Sequence, residues 1–426
     1  MTVETEMKPS LFEATAKWAK IGVLSFGGPA AQIALMHKVV VEENKWLSEK
    51  QFLNALNFCM LLPGPEAMQL ATYAGWRIHG ILGGLIAGLL FVLPGALVIL
   101  FLASLYSAYG DVPFVNALFL GIKAAVLVIV IEALLKVSKR ALNSKWHYLM
   151  AAFSFVGIFF LELPYPLIVL TAGIIGFAFA TGGSQSEQET SSSGVSLFKT
   201  LRTILTWLII WWLPILLLWA SGADEILTSI AIFFSKLAVV TFGGAYAVLA
   251  YMAQDAVETN NWLTATQMVD GLGLAETTPG PLILVTEFVG FLAAEKVGGF
   301  WLGVVGAVVT LWVTFVPCFL WIFAGAPYID HLSKQVRLSG ALSFITAAVV
   351  GVILNLSVWF ALNVLFAEIE TSQVGPFKLL IPEIASLDWR VPVLTLLAAV
   401  MLFRQHWNVL YVLCLCAFCG FLVSAL

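Results

Sequence analysis

Twice in this chain a Phe-Gly-Gly triplet is followed by a Pro-Gly-Pro triplet. Phe26, Gly27 and Gly28 precede Pro63, Gly64 and Pro65, and Phe242, Gly243 and Gly244 precede Pro279, Gly280 and Pro281. Each triplet falls where one apolar stretch stops and another starts. Glycine accepts positive φ and close backbone approach, and proline suits the first turn of a helix, so both triplets break helices and leave N-terminal amides unpartnered. Free N–H groups and the positive end of the helix dipole attract anions. Four such ends meeting near one point would form a cradle for a small multivalent anion, so all twelve residues are candidate substrate-binding positions.

Ionisable side chains add the rest of the chemistry. Lys123 lies mid-way along an apolar stretch, out of snorkelling reach, where a lysine serves as counter-charge to an anion. Its alternative role is a structural ion pair with a carboxylate such as Glu132. Glu66 follows the first Pro-Gly-Pro and Glu276 precedes the second. A carboxylate at a break in a low-dielectric site can bind a proton reversibly, so both are candidates for coupling transport to a proton gradient. Glu66 could equally be a first-turn residue stabilising its helix dipole. Gln69, one turn further, is a candidate hydrogen-bonding partner of substrate, with packing as the alternative. Lys20 and Lys236 either supplement the anion field or mark an interface. His37 and Lys38 could contribute to an entrance.

These residues are positioned by a duplication. At an offset of 216, residues 20–65 match residues 236–281 at 18 of 46 positions without a gap. The match continues at an offset of 223, pairing Pro94 with Pro317 and Ala124 with Ala347. Lys123 then aligns with Thr346 and Glu132 with Asn355, so the backbone breaks are duplicated and the charges are not. Two Gly/Pro-interrupted copies in a membrane protein point to a transporter with its site between them.

The solvent is lipid. Hydrophobic residues make up 61% and charged residues 11% of the 426, against roughly 25% charged in a soluble domain, and mean hydropathy is +0.97. Apolar spans are expected near 81–106, 112–137, 146–162, 164–181, 201–220, 300–324, 338–366, 389–404 and 407–425, with shorter broken segments at 11–26, 30–43, 49–62 and 64–78 and their copies at 225–242, 246–259, 265–278 and 280–296. The expected architecture is an all-α polytopic membrane protein. Residues 1–182 form an N-terminal repeat, 183–197 a disordered polar linker, 198–222 an unpaired connecting helix and 223–426 a C-terminal repeat. Basic residues favour the cytoplasmic side. Lys136, Lys139, Arg140 and Lys145 therefore place their loop inside, with the N-terminus and the linker, and the Glu162–Pro166 turn outside. The unpaired helix inverts the second half, so the copies run antiparallel, with His331, Lys334 and Arg337 inside and loop 367–388 outside. Lys378 and Arg390 are exceptions to the charge rule. Glu42, Glu43 and Lys45 beside Trp46, like Glu258 beside Trp262, read as interfacial anchors.

Other chemistries find little support. Cys59, Cys318, Cys414, Cys416 and Cys419 all lie in apolar stretches, and the five histidines form no ligand spacing. No cofactor, metal or nucleic-acid site is expected. No GxxxxGK[ST] motif is present for nucleotide hydrolysis. A polytopic enzyme would need a nucleophile–base pair or a metal cluster, and neither is visible.

With these residues assembled, the chain resembles the chromate transporter family in its long, two-domain form. The resemblance rests on Ser25–Ile33, Trp46–Glu49, Phe58–Tyr73, Phe91–Ala96 and Gly121–Val126, then on Thr241–Leu249 and Ala275–Val285. It implies a secondary transporter exporting chromate, a tetrahedral oxyanion, across a bacterial inner membrane, coupled to the proton gradient or to a counter-anion. Sulfate or another oxyanion is the alternative cargo, and a passive anion channel the alternative mechanism. Partners are the substrate and the bilayer, with a homodimer left open, and the C-terminus is expected in the periplasm. Ala245 stands where the first half has Pro29, so the two breaks need not be equivalent.

Overall fold

The first helix, α1 (Leu11–Leu24), starts on Ser10, whose hydroxyl accepts the Glu13 N–H. It stops at Ser25, where φ −78° and ψ 64° let Phe26 N–H reach back to the Leu24 carbonyl at 2.9 Å. That is an inverse γ-turn, a three-residue reversal tight enough to end a helix abruptly. The matching helix of the second half, α9 (Glu225–Val240), ends the same way. Thr241 has φ −74° and ψ 81°, and Phe242 N–H meets the Val240 carbonyl at 2.9 Å. These details come from a computed structural model, which describes residues 9–110, 112–180, 197–242, 245–329 and 335–424.

After the break α2 (Gly28–His37) winds into a π-turn at Lys38–Glu43, and α3 (Glu49–Cys59) begins in a capping box of Ser48 and Gln51. The second half repeats each element: α10 (Ala245–Gln254), a π-turn at Asp255–Thr259, and α11 (Ala265–Thr277) capped by Thr264 and Gln267. The next unit is a hairpin in each half. Helix α4 (Glu66–Tyr109) reverses at His79 (φ −128°, ψ 25°) and Gly80 (φ 62°, ψ −153°). Helix α12 (Val285–Gly325) reverses at Gly298 and Gly299 with nearly the same angles. The backbones of Gly290 and Gly306 touch across the second turn, although 16 residues of straight helix would hold them roughly 24 Å apart. The expected separation of 64–78 from 81–106 is therefore present as the two arms of α4.

Three further helices complete each half: α5 (Pro113–Ala141), α6 (Lys145–Phe159) and α7 (Tyr165–Phe179), then α13 (Val336–Leu365), α14 (Arg390–Ala399) and α15 (Val409–Ser424). Their packing is exchanged. Helices α6 and α7 lie on α13 of the other half, and α14 and α15 lie on α5. Small residues allow the approach, as between lipid-embedded helices generally. The Gly121 backbone abuts the Cys416 carbonyl, and that of Gly351 abuts the Ala151 carbonyl. The connecting helix α8 (Leu197–Ala220) stacks Trp207 on Phe319, with centroids 5.6 Å apart, and donates from Trp211 to the Ser235 hydroxyl at 3.2 Å. Among the described residues five helices are long and apolar enough to cross a membrane, and the chain is a multi-pass membrane protein.

The structure corrects two expectations. Residues 367–388 are not a plain loop within an all-α protein. Strands β1 (Ile369–Val374) and β2 (Phe377–Pro382) pair antiparallel around a turn at Gly375, whose φ is +63°. Lys378, an exception to the charge rule, is neutralised there by Glu162 and Glu258, each at 2.7 Å. This contact also brings the hairpin and the Glu162–Pro166 turn to the same end of the molecule. Trp262 is buried against Phe233 and Phe234, so it fills the protein interior instead of anchoring in lipid headgroups, while Trp46 packs on Trp18 and is half-buried. Linker residues 183–196, the candidates Gly243 and Gly244, and His331 and Lys334 lie outside the described residues.

Candidate functional site

The four breaks meet in two reciprocal pairs. Gly64 N–H donates to the Thr241 carbonyl at 2.8 Å, and Gly280 N–H donates to the Ser25 carbonyl at 2.8 Å. Each Pro-Gly-Pro loop thus docks on the residue preceding the other half's Phe-Gly-Gly. Gly64 (φ +120°) and Gly280 (φ +90°) take conformations that a side chain would strain. Ser25 and Thr241 are buried and turn their hydroxyls back to the Ile21 and Leu237 carbonyls, at 2.6 and 2.5 Å. This frees the carbonyls of Ser25 and Thr241 for the crossing.

Two glutamines brace the loops. Gln69 donates to the Pro63 carbonyl at 2.7 Å, and Gln32 donates to the Gly280 carbonyl at 2.6 Å and the Ser25 carbonyl at 3.3 Å. Both are buried, and the side-chain carbonyl oxygen of each has no partner. Gln69, a sequence candidate, stands at the crossing, where its amide is engaged by the Pro63 carbonyl. Gln32 was not singled out, although it lies four residues beyond Gly28. The helix starts at the breaks, on Gly27, Pro65 and Pro281, carry no side-chain cap, as is also true of the starts on Val112, Pro164, Asp224, Gln335 and Trp389. At the breaks the first-turn amides remain donors with which an anion could be held. Pro63, Pro65, Pro279 and Pro281 are buried, and Phe26 and Phe242 half-buried.

Lys123 has a different partner from the one expected. Its ammonium lies 3.0 Å from Asp270 on α11 of the other half, while Glu132 pairs with Lys136 one turn along α5 at 2.7 Å. The Tyr106 hydroxyl on α4 donates to the second Asp270 oxygen at 2.8 Å. Asp270 is 2% exposed and Lys123 17%. Sequence reasoning missed Asp270, yet a lone carboxylate in the apolar run Met268–Leu274 was the available signal.

Of the two coupling candidates, Glu66 opens α4 directly after Pro65 and is half-buried. Glu276 accepts from Tyr246 at 2.9 Å, and Glu132 adds its charge across the α5–α11 seam. Glu287, in the first turn of α12, is a further buried carboxylate outside the expected set; one of its oxygens has no partner. Among the described residues no group of three or more His, Cys, Asp or Glu side chains is placed to hold a metal ion.

The family model described as chromate transporter matches residues 12–177 and 228–421. A chromate transport protein of Pseudomonas aeruginosa is 31% identical over 356 residues, covering 81% of this chain and 79% of that one. A probable chromate transport protein of Synechococcus elongatus is 29% identical over 347 residues, covering 81% and 83%. An uncharacterized transporter of Methanocaldococcus jannaschii is 25% identical over 425 residues, covering 99% and 96%. No solved structure matches the chain. With both halves matched, this chain belongs to the chromate transporter family.

Proposed function

We propose that this chain is a secondary active transporter that exports chromate across a bacterial inner membrane, coupled to the proton gradient or to a counter-anion. The observation that carries this reading is the reciprocal crossing, in which each Pro-Gly-Pro loop hydrogen-bonds the residue before the opposite Phe-Gly-Gly. Reciprocal contacts of this kind arise when a two-fold relates the halves. Combined with the charge pattern, they support an inverted repeat that rocks about a central site to give alternating access. The helix starts after Gly27, Pro65 and Pro281, which carry no side-chain cap, bind the anion together with Gln69 and the second Phe-Gly-Gly. Lys123 supplies the counter-charge, and Glu66 and Glu276 exchange the coupling proton. The names of the relatives support chromate as cargo.

Sulfate is the second reading, because it shares chromate's tetrahedral shape and double charge. Flux into proteoliposomes, with and without an imposed pH gradient and with sulfate as competitor, tests the set. Saturable chromate flux that responds to a pH or counter-anion gradient is the expected result. Flux that neither saturates nor responds to either gradient describes a passive channel and overturns the exporter.

A further inference from the structure

Lys123 cannot serve a substrate anion while Asp270 holds it. The pair joins α5 of one half to α11 of the other at 3.0 Å, and the cation is the more open partner, 17% exposed against 2%. An anion approaching Lys123 therefore competes with a buried carboxylate for the ammonium. If Asp270 lost the ammonium and stayed charged, the Tyr106 hydroxyl would be its remaining hydrogen-bond partner in the structure, and an unpaired buried carboxylate is strongly unfavourable. Protonation removes that penalty.

We propose that Asp270 is the residue a substrate anion displaces from Lys123, and that Asp270 takes up a proton as it is displaced. This rests on the transporter reading above and names the residue at which anion and proton meet. Lys123 on α5 and Tyr106 on α4 are the ionisable groups acting on Asp270. From α12 the Phe288 ring packs against the adjoining Gly271. The one ionisable residue of α13 is Arg337, which lies over the Phe177 ring. Glu276 and Glu132 come together further along the same seam. The proton and the anion favour each other by linkage, because each releases the partner the other needs. A dianion that travels with one proton carries a single net negative charge, and an inside-negative membrane potential drives that charge outward.

Calorimetric titration of the purified full-length protein with chromate tests this, in buffers of different ionisation enthalpy and above neutrality, where chromate is a dianion. Wild type is expected to take up a proton on binding. Asp270→Asn should bind chromate tighter, by roughly 5- to 150-fold, with no uptake, and Asp270→Glu should keep the uptake. Tyr106→Phe guards against a misfolded Asp270→Asn. It removes a bond that favours the charged carboxylate, so it should tighten binding at the same pH while keeping the uptake. Unchanged or weaker binding by Asp270→Asn, or uptake that persists in it, overturns the proposal and leaves the transporter reading standing. So does unchanged or weaker binding by Tyr106→Phe. Wild type that binds no chromate overturns both.

Discussion

The seam where α5 meets α11 and the stretches of α13 and α3 that match it in the repeat share one sequence pattern, yet none of the charges of the first has a charged counterpart in the second. Lys123, Glu132, Asp270 and Glu276 line the first. Their counterparts at the two offsets are Thr346, Asn355, Asn54 and Met60. Asp270 is buried against its partner helix, whereas Asn54 and Met60 are exposed on α3. Each half kept the γ-turn, the π-turn, the capping box and the kinked hairpin, which are matters of backbone. Charge is confined to one seam, where a buried lysine requires a buried carboxylate. The duplicated parts hold the two halves against each other, and the divergent parts carry the buried ion pair.

The largest effect expected from this contrast is at Lys123. Removing one partner of a buried, hydrogen-bonded charge pair costs about 2–5 kcal/mol, and each 1.4 kcal/mol is about tenfold in affinity. Lys123→Ala should therefore lower chromate transport in everted vesicles by at least tenfold. Thr346→Ala, at the duplicate position, removes only a hydroxyl bonded to the Leu342 carbonyl of its own helix. That costs no more than about 1 kcal/mol of stability and should leave transport near wild type. Equal losses at the two positions would mean that the two stretches are functionally alike.

This contrast was half legible in the sequence. Glycine, proline and hydropathy act locally, so the helix breaks, both arms of α4 and the break at Pro65 could be read directly. Lys123 could be recognised as a buried charge, but its partner could not. Glu132, nine residues along the same apolar stretch, was the nearest carboxylate available to reasoning, and the structure gives Glu132 to Lys136 instead. Asp270 reaches Lys123 only because α11 of one half packs on α5 of the other. The exchange of terminal helices that shapes this packing depends on contacts between segments far apart in the chain, such as Gly176 with Gly340 and Gly121 with Cys416. Trp262 misled for a similar reason, since an aromatic beside charges looks the same in lipid headgroups and against Phe233.

The two crossing glycines sharpen the comparison at a smaller scale. Gly64→Ala and Gly280→Ala both force a side chain into positive φ, a cost of roughly 1–2 kcal/mol each. Their surroundings differ. A Cβ at Gly64 would meet the Gln69 amide nitrogen at 2.8 Å and the Cys318 sulfur at 2.9 Å, while one at Gly280 would first meet a Leu284 methyl at 3.0 Å. Displacing Gln69 breaks its bond to the Pro63 carbonyl, worth about another 1 kcal/mol. Thermal unfolding in detergent should rank Gly64→Ala below Gly280→Ala and both below wild type. The reverse order would show that Gln69 is not what holds the first loop.

The smallest effect separates the two π-turns, outside the long apolar helices. His37 stands before the first, between Glu49 at 2.7 Å and Glu42 at 3.1 Å, and Ala253 holds the equivalent place in the second half. The Glu49 hydrogen bond raises the His37 pKa above its usual 6.5 against the opposing effect of desolvation, aided by the charges of Glu49 and Glu42. A pKa raised by folding stabilises the protein below the unfolded value, about 6.5, and that stabilisation fades as pH climbs through the folded value. Wild type should therefore lose a little thermal stability between weakly acidic and weakly alkaline pH, and His37→Ala should flatten that part of the profile. Ala253→His places an imidazole where the first half has one but supplies neither Glu42 nor Glu49, since Glu258 is committed to Lys378 and Ala265 replaces Glu49. It should add no matching pH dependence, and a slope as large as that of wild-type His37 would show that position alone, not the pair of carboxylates, sets the effect.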